Sequence, residues 1–587
     1  MCGIFATTRP ELWESQVEQL LVRMKHRGPD GHGAWTSPSG RVMLLQTRLS
    51  IVGLGHEGDQ PSIRETSGLT FNGEIYNYRE LADANQPLER LSDTQVLHRI
   101  LTTEGAAGCD RLRGMFAFAF WNELTGEITY GRDRWGIKPL YVLEHPGGGV
   151  SLASELPPLL LHPDAQELDP VGLAQYVAFG HTGPKVTLYR NIRKAEPGLI
   201  ETRSANGTIR RRIDQMPDTP TLSMEDAMAN TVAAHHVADV EVGLFLSGGI
   251  DSTLLATYQG LASSTLKTFT IAFPDTPDID ESPLAVHNAR LLGTDHHTVA
   301  VTVPEMVRSL DTFLGVHGEP FGDSAALPLI VLSAEAARHV KVVLTGEGAD
   351  EMFGGYRRYD VMQSLNRPVI SRVGRATRPA ADLLYRYRNS DPRLRSLEAA
   401  LRGGGAWGIA ALVESDLAAV DRDGPGHAVA TALLDDWAGL AGDAAGREGA
   451  RRFDLSRWLP NTYLEKADRS TMAASLEART PYLDPIIERA ARTPGRAFGK
   501  ADLRSLLEQR LPGVRLPAVK KGLRTPVPAM LEAGLNTSLR RALDAPDSVL
   551  NQHFGAKSVA LLKARSSRSS ATAYRLAVLG RWQDLTA

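Results

Sequence analysis

Cysteine is almost absent from this chain, which has two, Cys2 and Cys109, in 587 residues. Two cysteines cannot form the disulfide framework of a small secreted protein, so a reducing compartment such as the cytoplasm is favoured. The first residues lack the basic and then apolar pattern of a signal peptide. No apolar run reaches the roughly 18–20 residues that cross a bilayer. We therefore expect a soluble cytoplasmic protein with no membrane partner.

A dominant charge of either sign is also missing. The chain has 65 basic and 68 acidic residues, a formal net charge of −3. Such a balance gives no overall attraction to nucleic acid or anionic lipid. An arginine-rich stretch, RRYDVMQSLNRPVISRVGRATRP (357–379), is best interpreted as solvated helix faces, because acidic residues return by 415. No nucleic-acid partner is expected.

The length predicts about two to four domains. The first two hundred residues are β-rich, with a predicted helix at VEQLLVRM (17–24) and short apolar runs separated by Gly, Pro and Asn. A polar segment, ANGTIRRRIDQMPDTPTL (205–222), is interpreted as a linker. Beyond it, predicted strands EVGLFL, LKTFTIAF and KVVL alternate with helices, which is typical of a parallel α/β sheet. We predict domains at 1–210 and 211–587.

Cys2 directly follows the initiator methionine. Removal of that methionine would place a thiol and a free α-amine on one residue, a nucleophile with its own base. A cysteine at this position is by itself more often a small buried strand residue. The residues that follow it favour the reactive role.

Several motifs of the first domain supply groups for recognising an amino acid. Arg48 can hold an α-carboxylate in a bidentate pair, and Glu74 and Asp93 are acceptors for an α-ammonium. Asn72 and the backbone N–H of Gly73 can form an oxyanion hole. Singly, each residue is better explained by a turn or the surface; it is their joint occurrence that predicts a site.

The order MCGI, HRGPDG, RLSIV, FNGEIYN, SDT and RDRWGIKPLY resembles the class II glutamine amidotransferase domain. The resemblance implies an N-terminal-nucleophile fold, an αββα sandwich, in which Cys2 attacks the side-chain amide of glutamine. Ammonia then leaves, and the glutamyl thioester is hydrolysed. The residues that match the family's glutamine pocket are Arg48, Ile51, Val52, Asn72, Gly73, Glu74 and Asp93.

The second predicted site has neither common phosphate motif, since LFLSGGIDST (244–253) contains no Walker A and no GxGxxG. A strand nevertheless ends there, Ser247, Gly248 and Gly249 form a turn, and a helix begins near Asp251. Backbone N–H groups and the Ser247 and Ser252 hydroxyls can face an anion at that helix start. Asp251 would repel phosphate unless a cation lay between them, so Mg²⁺ is implied.

A second glycine-rich loop, LTGEGADEMFGGYRRY (344–359), also follows a predicted strand. Asp350 and Asp251 are predicted to share Mg²⁺ that binds ATP phosphates. Glu347 is left to interact with a nucleophile or ammonia.

Both loops resemble the ATP-pyrophosphatase domain of asparagine synthetases, as do EPFGDSAALP, DRSTMAASLEARTPYLD and KKGLRTPVP. The resemblance implies an α/β domain of the adenine nucleotide α-hydrolase type with additional helices. It also implies adenylation of a carboxylic acid by ATP, displacement of AMP by ammonia, and a homodimer. Lys520 falls at the family's active-site lysine, with Lys521 as the competing assignment because Leu523 replaces the usual phenylalanine. Matching nucleotide contacts are Leu246, Ser247, Gly248, Gly249, Ile271, Gly346 and Glu347.

RDRWGIKPLY (132–141) and ASELPPLL (153–160) match segments that line an ammonia passage in the family. The chain departs from the family at Trp135, where phenylalanine is usual, and at Pro157, where lysine is usual. A shielded passage would keep ammonia neutral between the sites.

The leading hypothesis is an amidotransferase that forms AMP and pyrophosphate, with glutamine as donor and aspartate as default acceptor. The alternatives are a specialised carboxylic acid as acceptor, an N-substituted glutamine as donor, an intramolecular amide former, and a non-catalytic sensor. The intact Cys2, Asp251 and Asp350 disfavour the last two.

Overall fold

In a computed structural model, the described residues are 2–82, 91–213, 221–259, 265–365, 446–493, 498–517 and 522–586, with 429, 432, 433 and 439. They form three sheets. No described helix is long and apolar enough to cross a membrane.

The first domain contains two antiparallel sheets of six strands each. The first sheet has the strand order β10-β8-β9-β1-β3-β2 and the second β12-β11-β7-β6-β5-β4. The strands of the first sheet are β1 Cys2–Thr7, β2 Gly31–Thr36, β3 Met43–Arg48, β8 Tyr141–Glu144, β9 Val150–Ala153 and β10 Ile192–Lys194. Those of the second are β4 Ser62–Arg64, β5 Ser67–Ile75, β6 Gly114–Asn122, β7 Glu127–Arg132, β11 Leu199–Ser204 and β12 Gly207–Arg212.

Successive side chains of β1 point to opposite faces of the sheet, and this determines how the two sheets stack. Ile4 and Ala6 face Ala117 and Ala119 of the second sheet in one core, whereas Phe5 packs with the helical layer on the other side. The helices of this domain are α1 Val17–Met24, α2 Asp93–Glu104, α3 Leu156–Leu159 and α4 Pro170–Phe179. Short 3₁₀ helices lie at Pro10–Leu12, Glu14–Gln16, Lys25–Arg27, His56–Gly58, Gly105–Arg111 and Pro163–Ala165. The predicted αββα sandwich is confirmed.

The second domain contains a parallel sheet of five strands in the order β15-β14-β13-β16-β17. The strands are β13 Val242–Phe245, β14 Lys267–Ala272, β15 Asp295–Ala300, β16 Val342–Leu344 and β17 Glu477–Arg479. The chain moves outward from β13 to β15 and then crosses to the other side of β13 at β16. The carboxyl ends of β13 and β16 therefore form a topological switch point, where open α/β sheets bind ligands.

Helices surround this sheet and continue beyond it to the carboxyl end. They are α5 Met224–His235, α6 Ile250–Gln259, α7 Ser282–Leu292, α8 Val303–His317, α9 Ala326–Ala336, α10 Ala349–Phe353, α11 Arg357–Leu365, α12 Arg447–Phe453, α13 Leu464–Met472, α14 Pro485–Ala491, α15 Ala501–Arg510, α16 Val527–Met530, α17 Asn536–Asp544, α18 Val549–His553, α19 Ala556–Ser566 and α20 Ser570–Thr586. Wider π-type turns cover Asp454–Tyr463 and Leu531–Leu535, and a single turn covers Pro481–Leu483. The predicted α/β second domain with additional helices is confirmed.

One expectation needs correction. The first half of the segment interpreted as a linker forms β12, an edge strand paired with β11 from Leu199↔Arg212 to Ser204↔Gly207. All six β12 residues are exposed, so the strand has no buried face and carries no apolar alternation. The polar residues that led to the linker interpretation are those of an exposed strand at the edge of a sheet. Most of the arginine-rich helical stretch lies outside the described residues.

Arg113 joins the two domains just before β6. Its guanidinium donates from Nε to Asp484 Oδ2 at 2.8 Å and from Nη1 to Asn230 Oδ1 at 2.9 Å. Both Arg113 and Asp484 are buried. The pair is therefore a contact that forms only when the domains dock.

We predict that Arg113→Ala destabilises this docking, because it removes the nearest cation from a buried carboxylate. Breaking a buried ion pair from one side costs about 3–5 kcal/mol. Scanning calorimetry should show unfolding that begins at a clearly lower temperature. The control is Arg541→Ala, which breaks exposed pairs with Asp547 and Asp584 and should change the midpoint much less. Equal shifts in the two variants would contradict the prediction.

Candidate active sites

Cys2 begins β1 and lies directly opposite Arg48 of β3 in the antiparallel register. Its backbone nitrogen donates to Asn72 Oδ1, in the facing sheet, at 3.0 Å. Cys2 is 7% exposed. Three residues predicted for one site are thus brought together from two sheets.

Asn72 and Gly73 lie in β5 beside Cys2. Asn72 is fully buried, and its Nδ2 has no hydrogen-bond partner among the residues that the structure describes. A Cβ atom at Gly73 would lie 2.0 Å from the carbonyl oxygen of Met115, so only glycine fits. A buried amide donor without a partner, next to a thiol, is suited to an oxyanion that forms during reaction.

Arg48 is held by the loop that follows its strand. Its guanidinium donates to the carbonyl of Gly53, and at 3.1 Å to the carbonyl of Gly55 and to Asp59 Oδ1. The Asp59 side chain is 60% exposed. An incoming carboxylate would have to replace Asp59, so Arg48 as the α-carboxylate partner stays a prediction.

Glu74 and Asp93 form a buried acidic pair. Asp93 Oδ2 accepts from the backbone N–H of Ile75 at 3.1 Å, and Oδ1 accepts from that of Thr94 at 2.7 Å. Burial raises the pKa of Asp93 to about 6. Burial and the neighbouring Asp93 raise the pKa of Glu74 well above its usual value. Glu74 Oε1 has no partner among the described residues, which leaves an acceptor for a cationic ligand.

Ile51 and Val52 are contacted from the second domain. Ile51 is buried, and its carbonyl accepts from the backbone N–H of Asp239 at 2.9 Å. Asp239 Oδ2 in turn accepts from the backbone N–H of Gly53 at 2.8 Å. The segment predicted to line the glutamine pocket in one domain is therefore held by a residue of the other.

The second site lies at the switch point of the parallel sheet. The β13–α6 loop contains Ser247, whose Oγ lies 3.0 Å from Ser252 Oγ and accepts from the backbone N–H of Gly249 at 3.4 Å. Gly248 has a φ of +73°, and a Cβ there would lie 2.9 Å from the nitrogen of Ala285. The loop thus folds on itself, as a backbone anion site requires.

The β16–α10 loop contacts the first loop directly. A Cβ at Gly346 would lie 3.1 Å from Asp251 Cβ. Leu246 and Ile271 belong to the same region, since Leu246 N–H donates to the carbonyl of Phe269 in β14 at 2.9 Å. The predicted nucleotide residues of both loops are brought to one edge of the sheet.

Asp251 and Asp350 converge on a cation that the sequence did not indicate. Lys500 Nζ lies 2.7 Å from each Asp251 carboxylate oxygen and 2.6 Å from Asp350 Oδ1. These two carboxylates fit a divalent cation, because they are buried, point to one place and offer only oxygen donors. Lys520 and Lys521 lie outside the described residues.

Two ionisable side chains lie close enough to Glu347 to be affected by its charge: Glu351, four positions along the chain, and Lys466, from a distant segment. Tyr356 donates its hydroxyl to Glu351 Oε1 at 2.7 Å, and burial together with Asp350 raises the pKa of Glu351 to about 7. Lys466 Nζ lies 3.1 Å from Asp323 Oδ2. Burial alone would lower the pKa of Lys466, but Asp323 and Glu347 raise it above its usual value. The motifs in the sequence did not indicate Lys466, although it lies two positions before DRSTMAASLEARTPYLD.

Comparison with known proteins places both sites in a family. Residues 1–213 match the family model of the glutamine amidotransferase domain, and residues 223–584 match that of asparagine synthase. A Mycobacterium bovis protein with the provisional name asparagine synthetase (glutamine-hydrolysing) is 33% identical over 91% of this chain and 89% of its own. Asparagine synthetase (glutamine-hydrolysing) 1 of Bacillus subtilis is 30% identical over 92% of this chain and 90% of its own. The chain belongs to the asparagine synthetase family.

Membership confirms that the chain is a glutamine-hydrolysing ligase of the amidotransferase type. A family relative with another name, Amidase chry2 of Gibberella zeae, is 30% identical over 60% of this chain and 57% of its own.

A buried ion cluster joins the two domains of this family member at Cys2. Arg27 Nε donates to the carbonyl of Cys2 at 3.2 Å, and Nη1 donates to Glu155 Oε1 at 2.7 Å and to Asp468 Oδ2 at 2.8 Å. Arg469 Nη1 donates to the same Glu155 oxygen at 3.3 Å. These side chains are at most 3% exposed. We call Arg27, Glu155, Asp468 and Arg469 the interdomain ion cluster.

A second connection between the domains begins at the predicted glutamine pocket. Arg479 of β17 donates from Nη2 to Glu74 Oε2 at 3.0 Å and from Nε to Glu477 Oε1 at 2.7 Å. Glu74 of the first domain and Glu477 of β17, an outer strand of the parallel sheet, thus share Arg479 as their cation. Arg479 belongs to a motif that was noted, but its partner lies 405 positions away.

Both departures from the family's passage segments contact the second domain. Trp135 Nε1 donates to the carbonyl of Leu483 at 2.9 Å. A Cβ at Gly318 would lie 3.0 Å from Pro157 Cδ, so Pro157 packs closely on that glycine. The segments lie where the prediction requires, at the domain interface; a passage for ammonia stays a prediction.

We predict that Lys500→Ala removes the ammonium that lies between Asp251 and Asp350 and lowers stability by about 3 kcal/mol. A divalent cation can replace the ammonium, so Mg²⁺ without nucleotide should raise the thermal midpoint more in this variant than in the unmodified protein. Midpoints measured in EDTA and in MgCl₂ test both statements.

The matched control is Lys563→Ala, which removes an exposed lysine paired with Asp544. It should respond to Mg²⁺ like the unmodified protein. If the Lys500 variant gained nothing from Mg²⁺, the two aspartates would not be its binding site.

Proposed function

We propose that this protein transfers the amide nitrogen of glutamine to a carboxylic acid, driven by cleavage of ATP to AMP and pyrophosphate. The acceptor proposed is aspartate, so that the products are asparagine and glutamate. Family membership supports the overall reaction, and the names of the Bacillus and Mycobacterium relatives support the acceptor. The observation that carries the proposal is that a thiol site and a two-carboxylate site occur in one chain, on two sides of a buried interface.

The glutaminase half begins when removal of Met1 converts the Cys2 nitrogen into an α-amine. That amine takes the thiol proton, and Sγ attacks the carbonyl carbon of the glutamine side chain. Asn72 Nδ2 and the N–H of Gly73 stabilise the oxyanion. Ammonia leaves with the transferred proton, and water hydrolyses the thioester to glutamate. The orphan donor on Asn72 and the Asn72–Cys2 contact of 3.0 Å support these roles.

Recognition of glutamine falls to charged groups around Cys2. Arg48 pairs with the α-carboxylate in place of Asp59, and Glu74 and Asp93 accept hydrogen bonds from the α-ammonium. The ligand's positive charge favours the ionised forms of these two acids, whose pKa values burial raises. Ile51 and Val52 form the apolar side of the pocket.

The synthetase half activates the acceptor. Its carboxylate attacks the α-phosphorus of ATP, pyrophosphate leaves, and ammonia displaces AMP from the acyl-adenylate. Ser247, Gly248, Gly249 and Ser252 offer donors to the phosphates, and Lys500 adds a positive charge beside them. Asp251 and Asp350 would hold Mg²⁺, which neutralises phosphate charge when bound. Glu347 is assigned to the incoming nucleophile, and Lys520 to the adenylate.

The test uses the unmodified protein and Cys2→Ala. Pyrophosphate release is measured with ATP, Mg²⁺ and a panel of carboxylic acids, each with glutamine or with ammonium chloride. We expect aspartate and glutamine to give AMP, pyrophosphate and asparagine. Cys2→Ala should lose glutamine-dependent synthesis by about 10³-fold or more, as when a catalytic nucleophile is removed. It should keep the activity with ammonium.

Three outcomes would contradict parts of this scheme. Release of inorganic phosphate and ADP instead of pyrophosphate and AMP would exclude adenylation. Loss of the ammonium activity in Cys2→Ala would contradict separate sites. A preferred acid other than aspartate would overturn only the acceptor, leaving the specialised-acid alternative.

The buried Asp93 gives a pH prediction. Its carboxylate has a pKa raised to about 6 in the folded protein, so it becomes protonated as the pH falls through 6 and loses its attraction for the α-ammonium. Asp93→Asn removes that attraction at every pH. A charged hydrogen bond is worth about 1.5–3 kcal/mol, so kcat/KM for glutamine should fall about 10–100-fold at pH 8.

The ratio of unmodified to variant kcat/KM should shrink toward one as the pH is lowered to 5. Because both proteins share all other ionisable groups, the ratio removes the pH effects of those groups. Ammonium-dependent synthesis is the control, since it should be unchanged if Asp93→Asn leaves the second site intact. A ratio that stays constant from pH 8 to 5 would contradict the assignment of Asp93.

A further inference from the structure

Two histidines and an aspartate converge on the first domain at a place that neither half-reaction uses. His145 follows β8, and His162 and Asp164 flank Pro163 where a single helical turn begins. One ligand atom from each residue lies within 4.8 Å of the others. The group lies beside Thr7, at the end of β1 that is farther from Cys2, because His145 contacts Ser151 and Ser151 contacts Thr7. Five residues of strand place that end about 16 Å from Cys2.

His145 is held as a metal ligand would be. It is 6% exposed, and its Nε2 lies 2.8 Å from Ser151 Oγ, which lies 2.8 Å from Thr7 Oγ1. Its Nδ1 has no hydrogen-bond partner among the described residues. Leaving a buried polar atom unpaired costs free energy, so a native one calls for an explanation. In metal sites, the second nitrogen of a ligating imidazole is fixed by a hydrogen bond of this kind.

His162 and Asp164 complete the donor set. His162 Nδ1 lies 3.8 Å from Asp164 Oδ2 and accepts a long hydrogen bond of 3.2 Å from the Asp164 backbone N–H. The His162 side chain is 12% exposed and that of Asp164 47%. The buried indole of Trp13 packs on both imidazoles, with centroid distances of 6.4 Å to His145 and 5.3 Å to His162. The rings are therefore held in place, and the carboxylate is free to move.

A nearby arginine, Arg9, already has an acidic partner. Arg9 pairs with Glu11, its Nε lying 2.5 Å from Glu11 Oε1, and Nη1 donates to the carbonyl of Gly148 at 2.8 Å. The guanidinium is thus tied to its own acid and to the turn after His145.

We propose that His145, His162 and Asp164 bind Zn²⁺ or a similar late divalent transition metal, with water as the fourth ligand. Two imidazoles and one carboxylate suit such an ion and are poor ligands for Mg²⁺. Tetrahedral bonds of about 2.0–2.1 Å place ligand atoms about 3.3 Å apart, so the group must close by about 1.5 Å at most. The exposed Asp164 can supply that movement, and the long hydrogen bond to His162 Nδ1 is the contact that the ion would replace.

A metal here would join two segments of the domain. It would tie the β8–β9 turn to the segment that leads into α4, whose Tyr176 donates to the carbonyl of Arg575 in α20 at 2.6 Å. The site is therefore expected to stabilise the first domain and its attachment to the C-terminal helix.

The test uses untagged full-length protein carrying Cys2→Ala, which removes a competing thiolate, in millimolar Mg²⁺, which occupies the carboxylate site. Cobalt(II) is titrated while its visible absorption is followed, and zinc retained after dialysis is measured by mass spectrometry. We expect one ion per chain, the absorption of tetrahedral cobalt, and a higher thermal midpoint with Zn²⁺. His162→Ala and Asp164→Asn should each weaken binding at least about 100-fold and abolish the Zn²⁺-dependent shift.

The matched control is His32→Ala, which removes an exposed histidine of β2 and should bind metal normally. Asp164→Asn removes an exposed carboxylate and is the variant least prone to misfolding. Equal binding in all variants, or no retained ion in the parent protein, would overturn the proposal. A loss of stability in the variants that is equally large in EDTA and in Zn²⁺ would also overturn it, since the histidines would then serve packing and helix capping alone.

Discussion

A fully buried arginine sets the relation between the two domains. Arg27 belongs to the first domain, yet one of its two carboxylate partners, Asp468, belongs to the second. A buried charge with half its partners missing is strongly unfavourable. The same guanidinium donates to the carbonyl of Cys2, so the strand end that carries the thiol is held in place by a group that requires the docked second domain. Arg479 of the second domain contacts Glu74 of the first and repeats this dependence at the predicted glutamine pocket.

The second site depends on the opposite arrangement, two acids around one cation. Asp251 and Asp350 come from loops after adjacent parallel strands, and their mutual repulsion would open the switch point if nothing lay between them. Lys500 supplies one positive charge from the start of α15. The Mg²⁺ proposed for this site would supply two, so the ammonium would then be available to the phosphates of the proposed nucleotide. The lysine thus keeps the two loops together before the substrate enters.

Local patterns predicted much of this from the sequence, and distant partners explain the rest. Helix Val17–Met24, strand Gly114–Asn122, the SGG turn and the pairing of Asp251 with Asp350 follow from periodicity and motifs. Lys500 could not be found in that way, because it lies 249 positions from Asp251 in an ordinary helix start. The β12 strand was missed because an exposed edge strand carries no apolar alternation. The Arg27 interactions were hidden for a different reason: a buried arginine looks like a surface one until its partners are placed.

The interface also bears on how ammonia could remain a nucleophile between the sites. It needs surroundings that do not give up protons. Burial alone would raise the pKa of Glu155, but His26 and Arg27 hold it well below its usual value, and Arg27 and Arg469 likewise lower that of Asp468. These carboxylates are therefore ionised, and Arg27 and Arg469, the guanidinium groups that pair with both of them, do not release protons near neutral pH, which leaves His26 as the one titratable partner named here. An interface can thus carry many ionised carboxylates and arginines and still have few groups that give a proton to ammonia. Ammonia stays neutral in such surroundings because few groups protonate it, and an apolar lining is not required.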